Sequence, residues 1–333
     1  MDIASHALSS FALARAFFPR RRWPVVLGML FAGTVADVDR LSALFGPAAY
    51  FAVRRTLTHS VLGTLLIIAL AVLFARYLSK KQVEPLSALF PPFALAAALH
   101  IVLDLFQSEG LALLWPFRPT RFAMDWLPNI DPWILAILIA GILVPELFRL
   151  VSSEIGVKDK APRGRNGAIV ALAAITVYVG ARATLHSGSV TSLEPHSYRG
   201  ESARRVGAYP DAFSILTWHG VVETQSLLCQ VDVPTVSGKS FDPETADCLH
   251  KPEASPELDA AQKTRVAREY LQATPFPRAT VAKTQDGYEV VLRSMRDRAE
   301  GETRHRVAAR ILLDSKSGIS SEDLVWLSDI HLR

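Results

Sequence analysis

The run Phe93-Ala-Leu-Ala-Ala-Ala-Leu-His-Ile-Val-Leu-Asp-Leu-Phe sets the terms for the whole chain. With its flanks it is long and apolar enough to cross a bilayer, which takes about 20 residues as a helix. Into it the chain places His100 and Asp104, four residues apart. On a helix, positions i and i+4 lie one turn apart on the same face. An imidazole and a carboxylate are costly to bury in an apolar helix, and such groups mark functional sites by default. The pair calls for partners, and for a fold that brings them close.

Apolar runs of similar length recur at 61–78, 132–150 and 167–185, beside shorter ones at 3–18 and from Pro24 to residue 39. Half of the 333 residues are hydrophobic, and they crowd into the first 185 positions. The pattern predicts a mainly α, polytopic membrane bundle of about five to six helices over residues 1–185, with Ser5 capping the first. From residue 186 the texture changes. Segments 213–223, 288–293 and 306–314 alternate as half-buried strands do, Asp286-Gly287 marks a turn, and 256–271 reads as a surface helix. Residues 186–333 are therefore expected to form a strand-rich α+β soluble domain. Cys229 and Cys248 lie in this half, 19 positions apart, and either close a loop or remain separate thiols.

Basic residues follow every second helix: Arg20 to Arg22, Arg76 with Lys80 and Lys81, and the stretch from Arg149 to Arg165. With those loops cytoplasmic, the opposite helix ends share the outer side. His6, Asp37, Asp39, His59, His100 and Asp104 then all collect there, and the soluble domain lies outside too, where a disulfide is permitted. Arg40, Arg54, Arg55, Arg118 and Arg121 run against the charge rule and are read as site residues. The first basic cluster follows its apolar run, unlike the layout of a cleavable signal peptide. A net charge of +4 on scattered Lys and Arg gives no nucleic-acid footprint.

The six outer-end groups suit zinc, manganese or iron, and a set with several imidazoles and carboxylates can hold two ions. Asp37 and Asp39 point in nearly opposite directions on a regular helix. Either the helix ends between them, or one is a ligand and the other orients a neighbour. Arg54 and Arg55 suit an anionic substrate through charge-assisted bonds, or else snorkel to the interface. Asp125 and Asp131 fit loop and helix-start roles better than metal ligation. His219 fits a strand face, while His196, His250, His305 and His331 show no ligand spacing. There is no Gly-rich phosphate loop, nucleophile elbow or CxxC.

The order of these motifs resembles the YdjM-like membrane-bound metal-dependent hydrolases. The matching residues are His6, Asp37-Val38-Asp39, Arg55-Thr56-Leu57-Thr58-His59-Ser60 and His100-Ile-Val-Leu-Asp104, then Pro116-Phe117 and Asp131-Pro132. The resemblance covers residues 1–150. Ala36 stands where that family usually has proline, and Arg54-Arg55-Thr56 where it usually has His-Arg-Gly. The ligand order is similar in turn to that of zinc-dependent phospholipases C.

The resemblance implies an integral protein of a bacterial-type cytoplasmic membrane that holds a divalent metal, zinc first and manganese or iron next. The implied ligands are His6, Asp39, His59, His100 and Asp104, with Asp37 as ligand or orienter. Asp37 and Arg55 take catalytic roles, and Arg54 and Arg55 hold the anionic group. A metal-bound hydroxide then attacks a phosphoester or ester of a lipid-like substrate. The alternative is a non-catalytic membrane sensor or scaffold with a structural metal site. A transporter fits less well, because the charged groups gather at one end of the helices instead of the midplane.

Overall fold

The computed structural model describes residues 1–79, 84–154, 164–235, 241–298 and 306–330. Lys80, Lys81, Lys158, Lys160 and Arg163 of the basic loops, and also His305 and His331, lie outside the described residues. The first helices in chain order are α1 (Ile3–Phe17), α2 (Trp23–Ala32), α3 (Pro47–Val53), α4 (Val61–Ser79) and α5 (Leu86–Leu105). After them come α6 (Pro132–Glu154), α7 (Arg165–Leu193), α8 (Pro256–Gln262) and α9 (Arg265–Ala273). The chain divides into two units, Met1–Asp39 with Arg55–Ala183, and Arg40–Arg54 with Thr184–Arg333.

The first unit is helical. Among the described residues, four helices are long and apolar enough to cross a membrane: α4, α5, α6 over Pro132–Leu150, and α7. The expected membrane bundle is thus present, with α1 and α2 as shorter companions. On α5 the buried residues are Leu89, Pro92, Phe93, Ala96, Ala97, His100, Leu103 and Asp104, one stripe at helical spacing. Its upper part packs with Leu13, Met29, Ile67 and Ala71 of α1, α2 and α4. Its lower part joins Ala12, Ile134, Leu138, Ala168 and Ile175 of α1, α6 and α7. Small residues let α6 and α7 cross closely, since a Cβ on Gly141 would lie 2.4 Å from that of Ala171.

Helix ends depart from expectation where side chains and glycine intervene. Asp2, not Ser5, caps α1: its carboxylate accepts from the Ser5 N–H at 2.8 Å. Instead of running to Asp39, α2 stops at Ala32, and the Gly33 N–H closes it on the Met29 carbonyl at 2.9 Å. The chain then tightens into a 3-10 helix over Val35–Phe45. Asp37 and Asp39 are carried on this second helix, whose turn is narrower and whose side chains fan out differently.

The second unit is the strand-rich part. A short β1 (Ser197–Tyr198) and β2 (Glu201–Ser202) pair first. Then β3 (Arg205–Pro210), β4 (Thr217–Glu223), β5 (Leu227–Pro234) and β6 (Asp247–His250) form an antiparallel meander. A second meander follows from β7 (Pro277–Lys283), β8 (Gly287–Ser294), β9 (Val307–Asp314) and β10 (Ile319–Trp326). Cys229 and Cys248 face each other across β5 and β6 and form a disulfide.

Strand β4 begins only at Thr217, because Asp211 takes the Phe213 and Ser214 N–H groups in a turn at 2.8 and 2.6 Å. The helix expected over 256–271 is two helices, since the Thr264 hydroxyl accepts from the Ala267 N–H and starts α9 afresh. Both pack on the second sheet, Leu258, Ala261 and Tyr270 against Val290, Leu292 and Ile311. Residues 40–54 share this core. Phe51 packs on it and stacks with Tyr270 at 5.8 Å, and Tyr50 meets Trp326 at 5.5 Å.

Candidate metal centre

Four side chains in the helical unit each turn a ligand-type atom towards the others: Asp37, His59, His100 and Asp104, all buried, with those atoms within 4.8 Å of one another. Three separate stretches deliver them. The 3-10 helix after Gly33 brings Asp37, a short 3-10 turn at Leu57–His59 brings His59, and α5 brings His100 and Asp104. The turn carrying His59 sits tightly under α4. A Cβ on Gly63 would lie 1.8 Å from the Leu57 carbonyl oxygen, so only glycine fits there.

The groups behind the imidazoles decide what the imidazoles can do. His100 Nδ1 lies 2.9 Å from the Gly33 carbonyl oxygen, which can only accept. Nδ1 therefore carries the proton, and Nε2 keeps its lone pair. His59 Nδ1 lies 2.9 Å from the Thr58 hydroxyl and 3.1 Å from Asp39 Oδ2; with that hydroxyl donating to Asp39, both oxygens are left to accept from Nδ1, which gives the same tautomer. The two Nε2 atoms then meet at 3.2 Å. Asp104 Oδ2 is 3.2 Å from His59 Nε2 and 3.7 Å from His100 Nε2, and has no hydrogen-bond partner among the described residues. Three acceptor atoms converging in a buried place repel one another unless a cation lies among them. A divalent ion fits this donor set, and its charge also answers the cost of the buried carboxylates.

His6 lies next to this group. Its ring stacks on His100 with centroids 3.8 Å apart, and its Nε2 is 3.1 Å from Asp104 Oδ1 and 3.8 Å from Asp37 Oδ2. His6 Nδ1 is buried without a hydrogen-bond partner among the described residues. All six expected ligand residues are thus brought together, in two layers. Asp37 stands in the inner group with the histidines and Asp104. Asp39 stands behind His59, where it also accepts the Arg55 N–H at 2.7 Å and the Thr58 hydroxyl at 3.2 Å.

Arg55 is fully buried, and its backbone has a left-handed φ of 56°. Its Nη2 lies 3.5 Å from Asp104 Oδ1 and donates to Gln107 Oε1. Its Nε lies 2.9 Å from Glu109 Oε2, and Asn129 Nδ2 donates to Glu109 Oε1 at 3.0 Å. The Met1 amino group also donates to Asp104 Oδ1 and, at 2.7 Å, to Gln107 Oε1. Arg54 is buried as well but counts with the second unit. Asp131 caps α6 through the Trp133 and Ile134 N–H groups and accepts from the Tyr178 hydroxyl at 2.9 Å. Asp125 lies in the loop before it, with a left-handed φ of 57°.

Gln107, Glu109 and Asn129 are the site neighbours that the motif order does not contain. Their one signal is position, since Gln107 and Glu109 follow Asp104 within five residues, just past the end of α5. In the second unit, His219 is held by Asp232 at 2.8 Å and Asp211 at 3.3 Å, with both nitrogens engaged. That agrees with a structural strand-face role.

Comparison with known proteins adds a family. No curated protein and no solved structure is significantly similar to the chain. Residues 1–188 match the YdjM inner membrane protein family. That stretch is more than half of the chain and contains α4 to α6, most of α7 and every side chain of the buried cluster. The chain belongs to the YdjM inner membrane protein family.

Proposed function

We propose that the protein is a membrane-embedded, metal-dependent hydrolase of phosphoester or ester bonds in a lipid-like substrate. One observation carries this reading: the lone pairs of His59 Nε2, His100 Nε2 and Asp104 Oδ2 converge in a buried place, with Asp37 beside them. His59, His100, Asp104 and Asp37 would hold the ion, with His6 adjacent; zinc suits the set, and manganese or iron come next. When bound, such an ion supplies Lewis acidity, which polarises a phosphoryl or carbonyl oxygen and makes water nucleophilic near neutral pH. The chain's own part is orientation and charge. Asp39 and the Gly33 carbonyl hold two imidazoles in one tautomer, and Arg55 offers a guanidinium to the substrate's anionic group. A lipid-like substrate is supported by the position of His100 and Asp104 on a helix fit to span the bilayer.

The site and the strand-rich unit are assigned to the outer side of the membrane. The recurrence of basic residues after every second helix supports this, as does the Cys229–Cys248 disulfide, which persists in oxidising compartments. Labelling of single cysteines introduced at exposed positions expected outside, such as Arg118, tests it directly. Modification by a membrane-impermeant thiol reagent only from the cytoplasmic side would reverse the orientation.

A second reading, a structural metal site in a sensor or scaffold, is favoured by the full burial of Arg55, His59 and Asp104. The discriminating experiment is elemental analysis of detergent-purified protein beside His59→Ala and His100→Ala, followed by assay on a generic phosphodiester. The hydrolase reading expects at least one divalent ion per chain, lost in both variants, and turnover that needs the ion. A metal held without turnover of any ester would support the structural reading.

A further inference from the structure

The guanidinium of Arg55 is already held by a carboxylate. Glu109 Oε2 stands 2.9 Å from Arg55 Nε, in the kind of place that an incoming phosphate or carboxylate oxygen takes. Arg55 itself is completely buried, whereas the Glu109 side chain keeps 27% of its exposure. Glu109 is thus the solvent-accessible member of the pair, although the oxygen that faces Arg55 is itself buried. The rest of the fork is unevenly used. Nη2 is committed to Gln107 and lies near Asp104, while Nη1 and Nε are both buried with no hydrogen-bond partner among the described residues, Nε meeting Glu109 as an ion pair. A buried guanidinium donor left unpaired costs free energy, and an oxyanion would remove that cost. Glu109 also has a second holding point, because its other oxygen accepts from Asn129 Nδ2 at 3.0 Å. Released from Arg55, it would remain tied to Asn129.

We propose that Glu109 is a carboxylate latch on Arg55: it holds the guanidinium in place beside the buried His and Asp cluster when no substrate is present, and yields Nε to the anionic group of the substrate. The latch rests on the hydrolase reading only for the nature of that group. Glu109 is a positioning residue, acting through Arg55. It also sets a preference, because a neutral ester has no charge with which to displace it.

The test uses the full-length, metal-loaded protein in detergent and inorganic phosphate as the probe, titrated calorimetrically. In Glu109→Gln, phosphate binds roughly tenfold more tightly, since an ion pair no longer has to be exchanged. Metal content stays at the wild-type level, and Glu109→Asp keeps wild-type affinity. In an Arg55→Lys background the gain from Glu109→Gln disappears, which a purely structural role for Glu109 would not produce. Phosphate affinity unchanged or weaker in Glu109→Gln with metal retained overturns the latch, as does a gain that survives Arg55→Lys. Because phosphate binding needs no turnover, the two readings fail separately. A wild-type protein that cleaves no ester yet shows the Glu109→Gln gain keeps the latch and loses the hydrolase.

Discussion

At the level of single residues, the centre depends as much on the groups behind the ligands as on the ligands. Asp39 does not join the inner four; it fixes His59 through Nδ1. Partners of this kind typically contribute 10–100-fold to metal affinity. Asp39→Asn is therefore expected to weaken metal binding by roughly that factor without abolishing it, as read by competition with a chelator of known affinity, whereas His59→Ala abolishes it. In the strand-rich unit, Glu201 gives a clean pH prediction. The Ser226 hydroxyl, the Thr224 hydroxyl and the Ser226 N–H all donate to its carboxylate and push its pKa down to about 2. A depressed carboxylate stabilises the fold above its ordinary value of 4.5, and that contribution is lost as pH falls towards 2. The difference in thermal midpoint between wild type and Glu201→Gln should be present at pH 7 and close between roughly pH 4.5 and 2. The six metal-type residues were legible in the chain because polar groups stand out against apolar runs. The division of labour between Asp37 and Asp39 was not, since it depends on the change of helix type after Gly33. Gln107, Glu109 and Asn129 were illegible for a plainer reason, being ordinary polar residues in a loop.

Whole elements were easier to place than their ends. The long apolar runs appear as α4 to α7 because length and hydropathy suffice to define a span. The boundaries of α1, α2 and α9 depend on local hydrogen bonds that hydropathy does not register: the Asp2 cap, the Gly33 stop and the Thr264 restart. The short turn at Leu57–His59 shows what an element contributes to the site. It is pressed against α4 so closely that Gly63 has no room for a methyl group, and the obstructing atom is backbone. Gly63→Ala cannot be absorbed by a rotamer change, so the turn and His59 must move. Overpacking of this kind costs about 1–3 kcal/mol. The expected result is a protein with wild-type helix content by circular dichroism and metal affinity lowered at least roughly tenfold. Wild-type affinity in this variant would show that the turn yields without disturbing His59.

Across the whole molecule, the change of texture near residue 185 anticipated both the helical part and the strand-rich part, because each has its own hydrophobic period. Residues 40–54 escaped that logic. They sit in sequence among the apolar runs, and only the packing of Tyr50 and Phe51 on Trp326 and Tyr270 reveals that they fold with the strands. This stretch leaves the helical unit at Asp39 and re-enters it at Arg55, where the Arg55 N–H bonds back to Asp39. The chain is therefore stitched, and cutting it at the obvious seam is not a neutral act. A gene shortened to residues 1–183 would keep every metal-type side chain yet expose Phe51 and Tyr50, stripped of their aromatic neighbours, between two residues of the centre. Such a truncation is expected to bind metal less well than the full chain, and substituting Tyr50 and Phe51 by serine in it should restore solubility without restoring affinity. Separating the strand-rich half therefore takes two cuts, one after Ala183 and one around residues 40–54.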